Sequence, residues 1–372
     1  MSLDYQYIDT NEGLKLACQK LIQAPAIAVD TEFVRVDTFY PIPGLVQLAA
    51  AGETFLVDPL TIDDWVPLQT LLTDPDTLKV MHACSEDLEL FQNWLELRPT
   101  PMADTQVAAA FVDMGLSPGY QSLVLDLLGE TVDKGETRSD WLQRPLRDSQ
   151  CHYAAMDVAH LMQCYDILAQ RLKAKDVWQW FLEDMHRLAQ PKVPIAPEMA
   201  YTQMKNAWRL QGKAVGRLRA LAAWREGVAR SENRPKNFVV KDSSLIEMAR
   251  TNPVDLNEIG QCQDMRPSSL RRYGKQWLSI MLASSEVLPG VQQPLSKNEN
   301  ADYKRLHKVV TDQAENAGIQ VQLMGRKKEL LELFEGLRKK QPFTLPNNWH
   351  GWRAEFLAEA ITIEYNHIQG AL

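Results

Sequence analysis

Cysteine is scarce in this chain and poorly placed for cysteine chemistry. Five residues, Cys18, Cys84, Cys151, Cys164 and Cys262, are scattered over 372 positions with no paired metal spacing. Their odd number and wide separation exclude a disulfide framework and make a reducing cytoplasm the expected compartment. No apolar run is long enough to span a bilayer, so no membrane role is expected. The opening Met1-Ser2-Leu3-Asp4-Tyr5 lacks the basic-then-apolar layout of a signal peptide. With 45% hydrophobic and 24% charged residues the composition is that of a soluble globular protein. At this length one ordinary core does not suffice, and two or three domains are expected.

Positive charge is thin in the first half. Residues 1–200 carry 14 Lys+Arg against 30 Asp+Glu, a net of −16. Residues 201–290 reverse the sign, with 15 against 8 for +7, and residues 291–372 stand at +1. An acidic front followed by a basic segment points to chemistry in the first half and anion binding behind it, although solvated faces alone give the same totals.

Ala26–Phe33, Val46–Ala51, Thr54–Val57 and Leu78–Ala83 read as strands, the middle two as a hairpin turned at Ala51-Gly52-Glu53. Helical patterns follow at Glu86–Leu95, Asp104–Phe111, Gln121–Leu128 and Ser149–Leu172. Antiparallel strands followed by strand–helix alternation predict an α/β domain with a mixed sheet. Three prolines in Gln190–Pro197 mark a boundary. Beyond it the pattern is helical, with a second break from Leu288-Pro289-Gly290 to Asn300. The expected division is 1–192, a linker at 193–208, and two small all-α domains at 209–290 and 296–372. The two helical segments resemble each other weakly, Glu232-Asn233 pairing with Glu315-Asn316 and the tryptophan helices around Trp277 and Trp352 with one another.

Chemistry enters at Ile27-Ala28-Val29-Asp30-Thr31-Glu32-Phe33. Side chains two apart on a strand share a face, so Asp30 and Glu32 lie roughly 6–7 Å apart. Their repulsion is on the order of 2–3 kcal/mol at an effective dielectric of about 20. A cation between them resolves it; a solvated strand edge does so too. A second acid, Asp87 in His82-Ala83-Cys84-Ser85-Glu86-Asp87-Leu88, falls at a strand-to-helix junction, where helix N-termini favour negative charge in any case. A third site pairs Tyr153 with Asp157, four apart and therefore on one helical face, a spacing also common in purely structural pairs.

In this order, on these elements, the three sites form a signature. The chain resembles the DEDD exonucleases that carry a tyrosine in their third motif, and within them ribonuclease D. Asp30 and Glu32 match the first motif, Asp87 the second, and Tyr153 with Asp157 the third. Pro101-Met102-Ala103-Asp104-Thr105 and the segment Lys134–Trp141 also fit, with Thr137 near the place of a usual glutamine. The two helical segments resemble the domains that ribonuclease D shares with certain helicases, the first through Pro235–Met248 more closely.

The resemblance implies a ribonuclease H-like exonuclease domain followed by two small helical bundles. It implies that Asp30, Glu32, Asp87 and Asp157 are catalytic and bind two divalent ions, Mg²⁺ or Mn²⁺, which suit carboxylate oxygens. Asp30 would bridge both ions, Glu32 and Asp157 would serve the ion on the water side, and Asp87 the other. The Tyr153 hydroxyl would orient the attacking water, since a phenol of ordinary pKa about 10 is a weak base. The implied activity is 3′→5′ hydrolysis of RNA to 5′-mononucleotides, with tRNA precursors and other small structured RNAs as substrates, by a monomer.

Phe33 is a candidate to stack on the terminal base and Lys134 to neutralise phosphate charge, although a core phenylalanine and a surface loop lysine read equally well. Arg217, Arg219, Arg225, Arg230, Arg234, Lys236, Lys241, Arg271, Arg272 and Lys275 are candidates to hold RNA backbone. Two rivals share parts of the pattern, a proofreading-type DNA 3′→5′ exonuclease and a nucleic-acid-binding adaptor with an inactive nuclease domain. The full acidic set argues against the second. The paired helical segments and the lack of a polymerase or helicase segment argue against the first.

Overall fold

The computed structural model describes residues 4–132, 135–136 and 139–371. Its elements run β1 (Gln6–Ile8), α1 (Asn11–Leu21), β2 (Ala26–Val34), β3 (Ile42–Ala50), β4 (Glu53–Val57), α2 (Val66–Thr73), β5 (Leu78–Met81), α3 (Ser85–Trp94), β6 (Met102–Asp104), α4 (Thr105–Phe111), α5 (Tyr120–Leu128), α6 (Asp148–Ala159), α7 (Leu161–Ala174) and α8 (Trp178–Ala189). Helices only follow among the described residues: α9 (Lys213–Ser231), α10 (Lys236–Val239), α11 (Asp242–Thr251), α12 (Leu256–Gly260), α13 (Pro267–Ala283), α14 (Lys297–Asn316), α15 (Val321–Met324), α16 (Lys327–Arg338) and α17 (Trp352–Ala371), with short 3₁₀ turns between some of them.

One sheet organises the first half, in the order β1-β4-β3-β2-β5-β6. The β2/β3 and β3/β4 pairs are antiparallel; β1/β4, β2/β5 and β5/β6 are parallel. The sheet is therefore mixed, as the strand pattern predicts. β2 is a central strand covered on both faces, which is why Ile27-Ala28-Val29 is uninterruptedly apolar and fully buried. The β3–β4 hairpin turns on Ala51 and Gly52, both at positive φ (52° and 82°), the conformation a two-residue turn needs to match strand twist.

Two differences from the sequence reading have local causes, and a bulge shapes the end of β2. The strand predicted to Ala83 stops at Met81, because Ala83 takes φ +53° to start the turn into α3. The single helix predicted over Ser149–Leu172 is two, since the His160 amide turns to the Tyr120 hydroxyl (3.2 Å) and leaves the helical ladder. A β-bulge at Glu32/Phe33 sets Phe33 opposite Pro43 and leaves Gly44 as the extra residue.

The chain divides into two compact units. One comprises the residues up to Val34, Ile42–Pro191 and those from Lys297 onward; the other comprises Arg35–Pro41 and Lys192–Ser296. Within the first unit α17 seats on α8. Arg353 makes a two-pronged contact to Asp184 (2.6 Å to each oxygen), and Trp352 stacks on Trp180 at 4.9 Å. Within the second unit Leu218, Leu221, Leu245, Met248, Tyr273 and Trp277 form the core, and the Asn233 side chain accepts the amides of Phe39 and Tyr40.

The weak internal repeat has a clear structural counterpart. α10, α11 and α13 begin at 236, 242 and 267; α15, α16 and α17 begin at 321, 327 and 352, a constant displacement of 85. Asn233 and Gly318, both at positive φ, end the long first helix of each copy. The sequence pairing of Asn233 with Asn316 is therefore two residues out of register.

Candidate active site

The middle and second half of β2 carry the first two acids, Asp30 and Glu32. Asp30 and Glu32 stand opposite Gln47 and Leu45 of β3, so all four side chains rise on one face of the sheet. α6 lies across that face, packing on β2, β3 and β4 through Cys151, Ala154 and Ala155. The small residues let α6 approach closely, and Asp157 on its final turn descends toward the strand acids. Carboxylate oxygens of Asp30, Glu32 and Asp157 lie within 4.8 Å of one another. Tyr153, one turn earlier, hydrogen-bonds Asp157 and packs 6.2 Å from the Trp141 ring.

Asp87 arrives from the other side of β2. It sits in the first turn of α3 and is buried, and its carboxylate accepts a short hydrogen bond from the Thr31 hydroxyl, between the two strand acids. The turn that delivers it is held by Asp104, a buried carboxylate at the end of β6. Asp104 accepts the amides of Ala83 (3.0 Å), Cys84 (3.0 Å) and Gln106 (2.8 Å), so one side chain caps α4 and braces the start of α3. On the α6 side, Arg144 makes paired 2.6 Å contacts to buried Asp58 and donates to the carbonyls of Trp141 and Gly44. That network fixes the loop whose Trp141 supports Tyr153.

Burial is the first cause of an upward pKa shift at all four acids. Asp30 is held well above the usual carboxylate range, with repulsion from Asp87, Asp157 and Glu32 added. Glu32 is pushed up to about 9 by burial and then by Asp157 and Asp87. Asp157 rises to about 7 despite the Tyr153 hydrogen bond, and Asp87 to about 6 despite that from Thr31. Crowded, poorly solvated carboxylates with no basic side chain among these causes are a donor set for hard divalent cations.

The remaining expected residues lie elsewhere. Phe33 is half-buried beyond the bulge. Lys134 lies outside the described residues, as do Thr137 and Arg138 of the same segment. In the second unit Arg225 corrects the sequence reading. It is 4% exposed and spends its guanidinium on the Val240 carbonyl and Asp242, so it is a packing residue and not part of a phosphate-binding surface. Arg217 donates to the Ala249 carbonyl. Arg219 pairs with Glu286, Lys236 with Glu226, and Lys241 with Asp264. Arg234 and Arg272 share Glu232, and Arg230 pairs with Glu226. Arg271 and Lys275 are exposed on α13. The sequence reading missed Gln47, Asp58, Tyr120 and Arg144. Gln47 was visible as a lone polar residue inside an apolar strand and Asp58 as one just after a strand, but nothing in the chain joins Arg144 to Asp58.

This fold and acidic site define a nuclease, and residues 5–173 match the 3′-5′ exonuclease family model. Residues 215–281 match the HRDC domain. The chain is 39% identical to ribonuclease D of Pseudomonas paraeruginosa, over 96% of both chains. It is 37% identical to ribonuclease D of Escherichia coli, over 96% of this chain and 98% of that one. The crystal structure of E. coli RNase D, described as an exoribonuclease involved in structured RNA processing, superposes with a TM-score of 0.89 at 35% identity, covering 98% and 99% of the two chains. The chain belongs to the ribonuclease D family of 3′→5′ exoribonucleases.

Proposed function

We propose that this enzyme removes nucleotides one at a time from the 3′ ends of small structured RNAs, tRNA precursors among them, by hydrolysis that depends on two divalent ions. The observation that carries this reading is the meeting of Asp30, Glu32 and Asp157 within 4.8 Å, with Asp87 tethered to Thr31 beside them. When bound, two Mg²⁺ or Mn²⁺ ions would supply an acidified water and positive charge at the leaving 3′ oxygen.

The residues do the placing. Asp30, Glu32 and Asp157 would hold the ions between them, with Asp87 as a further ligand. Tyr153, already hydrogen-bonded to Asp157, orients the attacking water with its hydroxyl. Phe33, at the rim of the strand end, stacks on the terminal base, and Lys134 neutralises phosphate charge. The exposed cations of α13, Arg271 and Lys275, hold backbone phosphates without regard to sequence. A monomer in a reducing cytoplasm fits five buried, unpaired cysteines.

A 5′-labelled hairpin RNA with a single-stranded 3′ extension tests the reading. With Mg²⁺ or Mn²⁺ present, the extension should shorten in single-nucleotide steps with release of 5′-mononucleotides. A chelator, or Asp30→Asn, should abolish the ladder. Faster shortening of a matched DNA hairpin would favour the proofreading-type reading instead.

A further inference from the structure

Gln47 lies in the middle of β3, in the apolar run Leu45-Val46-Gln47-Leu48-Ala49, and is fully buried. Among the described residues neither its Nε2 nor its Oε1 has a hydrogen-bond partner. A buried primary amide left in this way is costly, and a leucine would fill the position without that cost. Strand packing therefore gives no reason for a glutamine here.

The register supplies one. Gln47 is the direct cross-strand partner of Asp30. Directly opposed residues of an antiparallel pair raise their side chains on one face, with Cβ atoms about 4.5–5.5 Å apart. That face bears the Asp30–Glu32–Asp157 cluster and is roofed by α6. Leu45, apolar, is opposite Glu32, so among the β3 partners of the two acids it is Gln47, at Asp30, that offers a polar group. Glutamine also has the length to reach a neighbouring carboxylate. Carboxylates that ligate metals are usually hydrogen-bonded in turn by groups behind them, and those groups set their orientation.

We propose that Gln47 is a positioning residue for Asp30, its side-chain N–H donating to the ionised carboxylate so that the opposite lone pairs face the cations. This rests on the two-metal reading above. It also accounts for the position of the one polar side chain between Leu45 and Ala50.

The test is calorimetric titration of the full-length protein with MnCl₂, for wild type, Gln47→Leu and Gln47→Met, with melting curves and RNA kinetics on the same samples. Replacing an unpaired amide by an apolar side chain should leave the metal-free melting temperature unchanged or raised. Mn²⁺ affinity should fall on the order of tenfold in both variants, and kcat should fall while KM for RNA holds. Wild-type Mn²⁺ affinity and kcat in both variants would overturn the assignment. So would a lowered melting temperature with unaltered Mn²⁺ affinity in a variant that still folds, which would make Gln47 a packing residue. Absence of Mn²⁺ binding by wild type would defeat the two-metal reading itself.

Discussion

The four carboxyls of the site keep protons at a pH where free side chains have lost them, because burial disfavours their charge and, at Asp30 and Glu32, their neighbours disfavour it further. The sign follows directly. Each folded pKa lies above an unfolded value of about 4, so the folded state binds more protons and stability declines as pH rises between the two. Metal-free protein should therefore lose melting temperature from about pH 5 to about pH 9 through this site, in the range set by Asp87, Asp157 and Glu32 at about 6, 7 and 9. Divalent ions should restore it, more strongly at the higher pH, and binding should release protons, measured by calorimetry in buffers of different ionisation enthalpy. A melting temperature that rises over this interval without metal would contradict the electrostatic account. Asp30→Asn should lower kcat by about 10³-fold or more, on the order of 4 kcal/mol, while RNA affinity in a filter-binding assay changes little. Spacing made Asp30 with Glu32 and Tyr153 with Asp157 legible as pairs on one face, and the resemblance to the DEDD exonucleases joined them with Asp87 into one site. The role of Gln47 was not legible, because its meaning lies in a partner strand and not in its own neighbours.

At the scale of elements, the site depends on two braces. Asp104 fixes the turn from β5 into α3, and Gly44 admits the Trp141 loop. A Cβ at Gly44 would fall 2.7 Å from Trp141 Cβ and 2.9 Å from its carbonyl oxygen, distances that require the loop to shift. Gly44→Ala should cost about 1–3 kcal/mol in chemical denaturation and reduce kcat through displaced Tyr153, with KM nearly constant. Unchanged turnover in a destabilised variant would separate the loop from the chemistry. The main strands and the α3, α4, α5 and α6 helices were legible because their hydrophobic periods are long. β1, only three residues at the sheet edge, is too short to carry a period, and it forms because Gln6–Ile8 find Phe55–Val57 far along the chain. The break between α6 and α7 was hidden for the same reason, since the hydroxyl that takes the His160 amide belongs to Tyr120.

At the scale of the whole molecule, the charge division is real but most of the basic side chains expected to meet RNA are engaged with acids or carbonyls of their own unit. Composition counts charges; it does not see Glu226 and Glu232 each meeting two cations. Arg271→Glu combined with Lys275→Glu should weaken RNA binding and flatten the dependence of log Kd on log salt by about 1.5–2 units, with kcat on a saturating short substrate preserved. An unaltered slope would remove α13 from the backbone-binding surface. The C-terminal helices have a different dependence. Arg353→Ala removes the ion-pair partner of Asp184 in a largely buried contact, leaving it the Trp352 indole N–H, and should lower stability by about 3 kcal/mol. The central claim is that acids distant in the chain gather two divalent ions over the face of β2 that bears Asp30 and Glu32. Anomalous diffraction from crystals grown with Mn²⁺ and a nucleoside 5′-monophosphate tests it most directly. The account predicts two manganese peaks roughly 4 Å apart, held by Asp30, Glu32, Asp87 and Asp157; manganese bound away from Asp30, or no manganese at these acids, would contradict it.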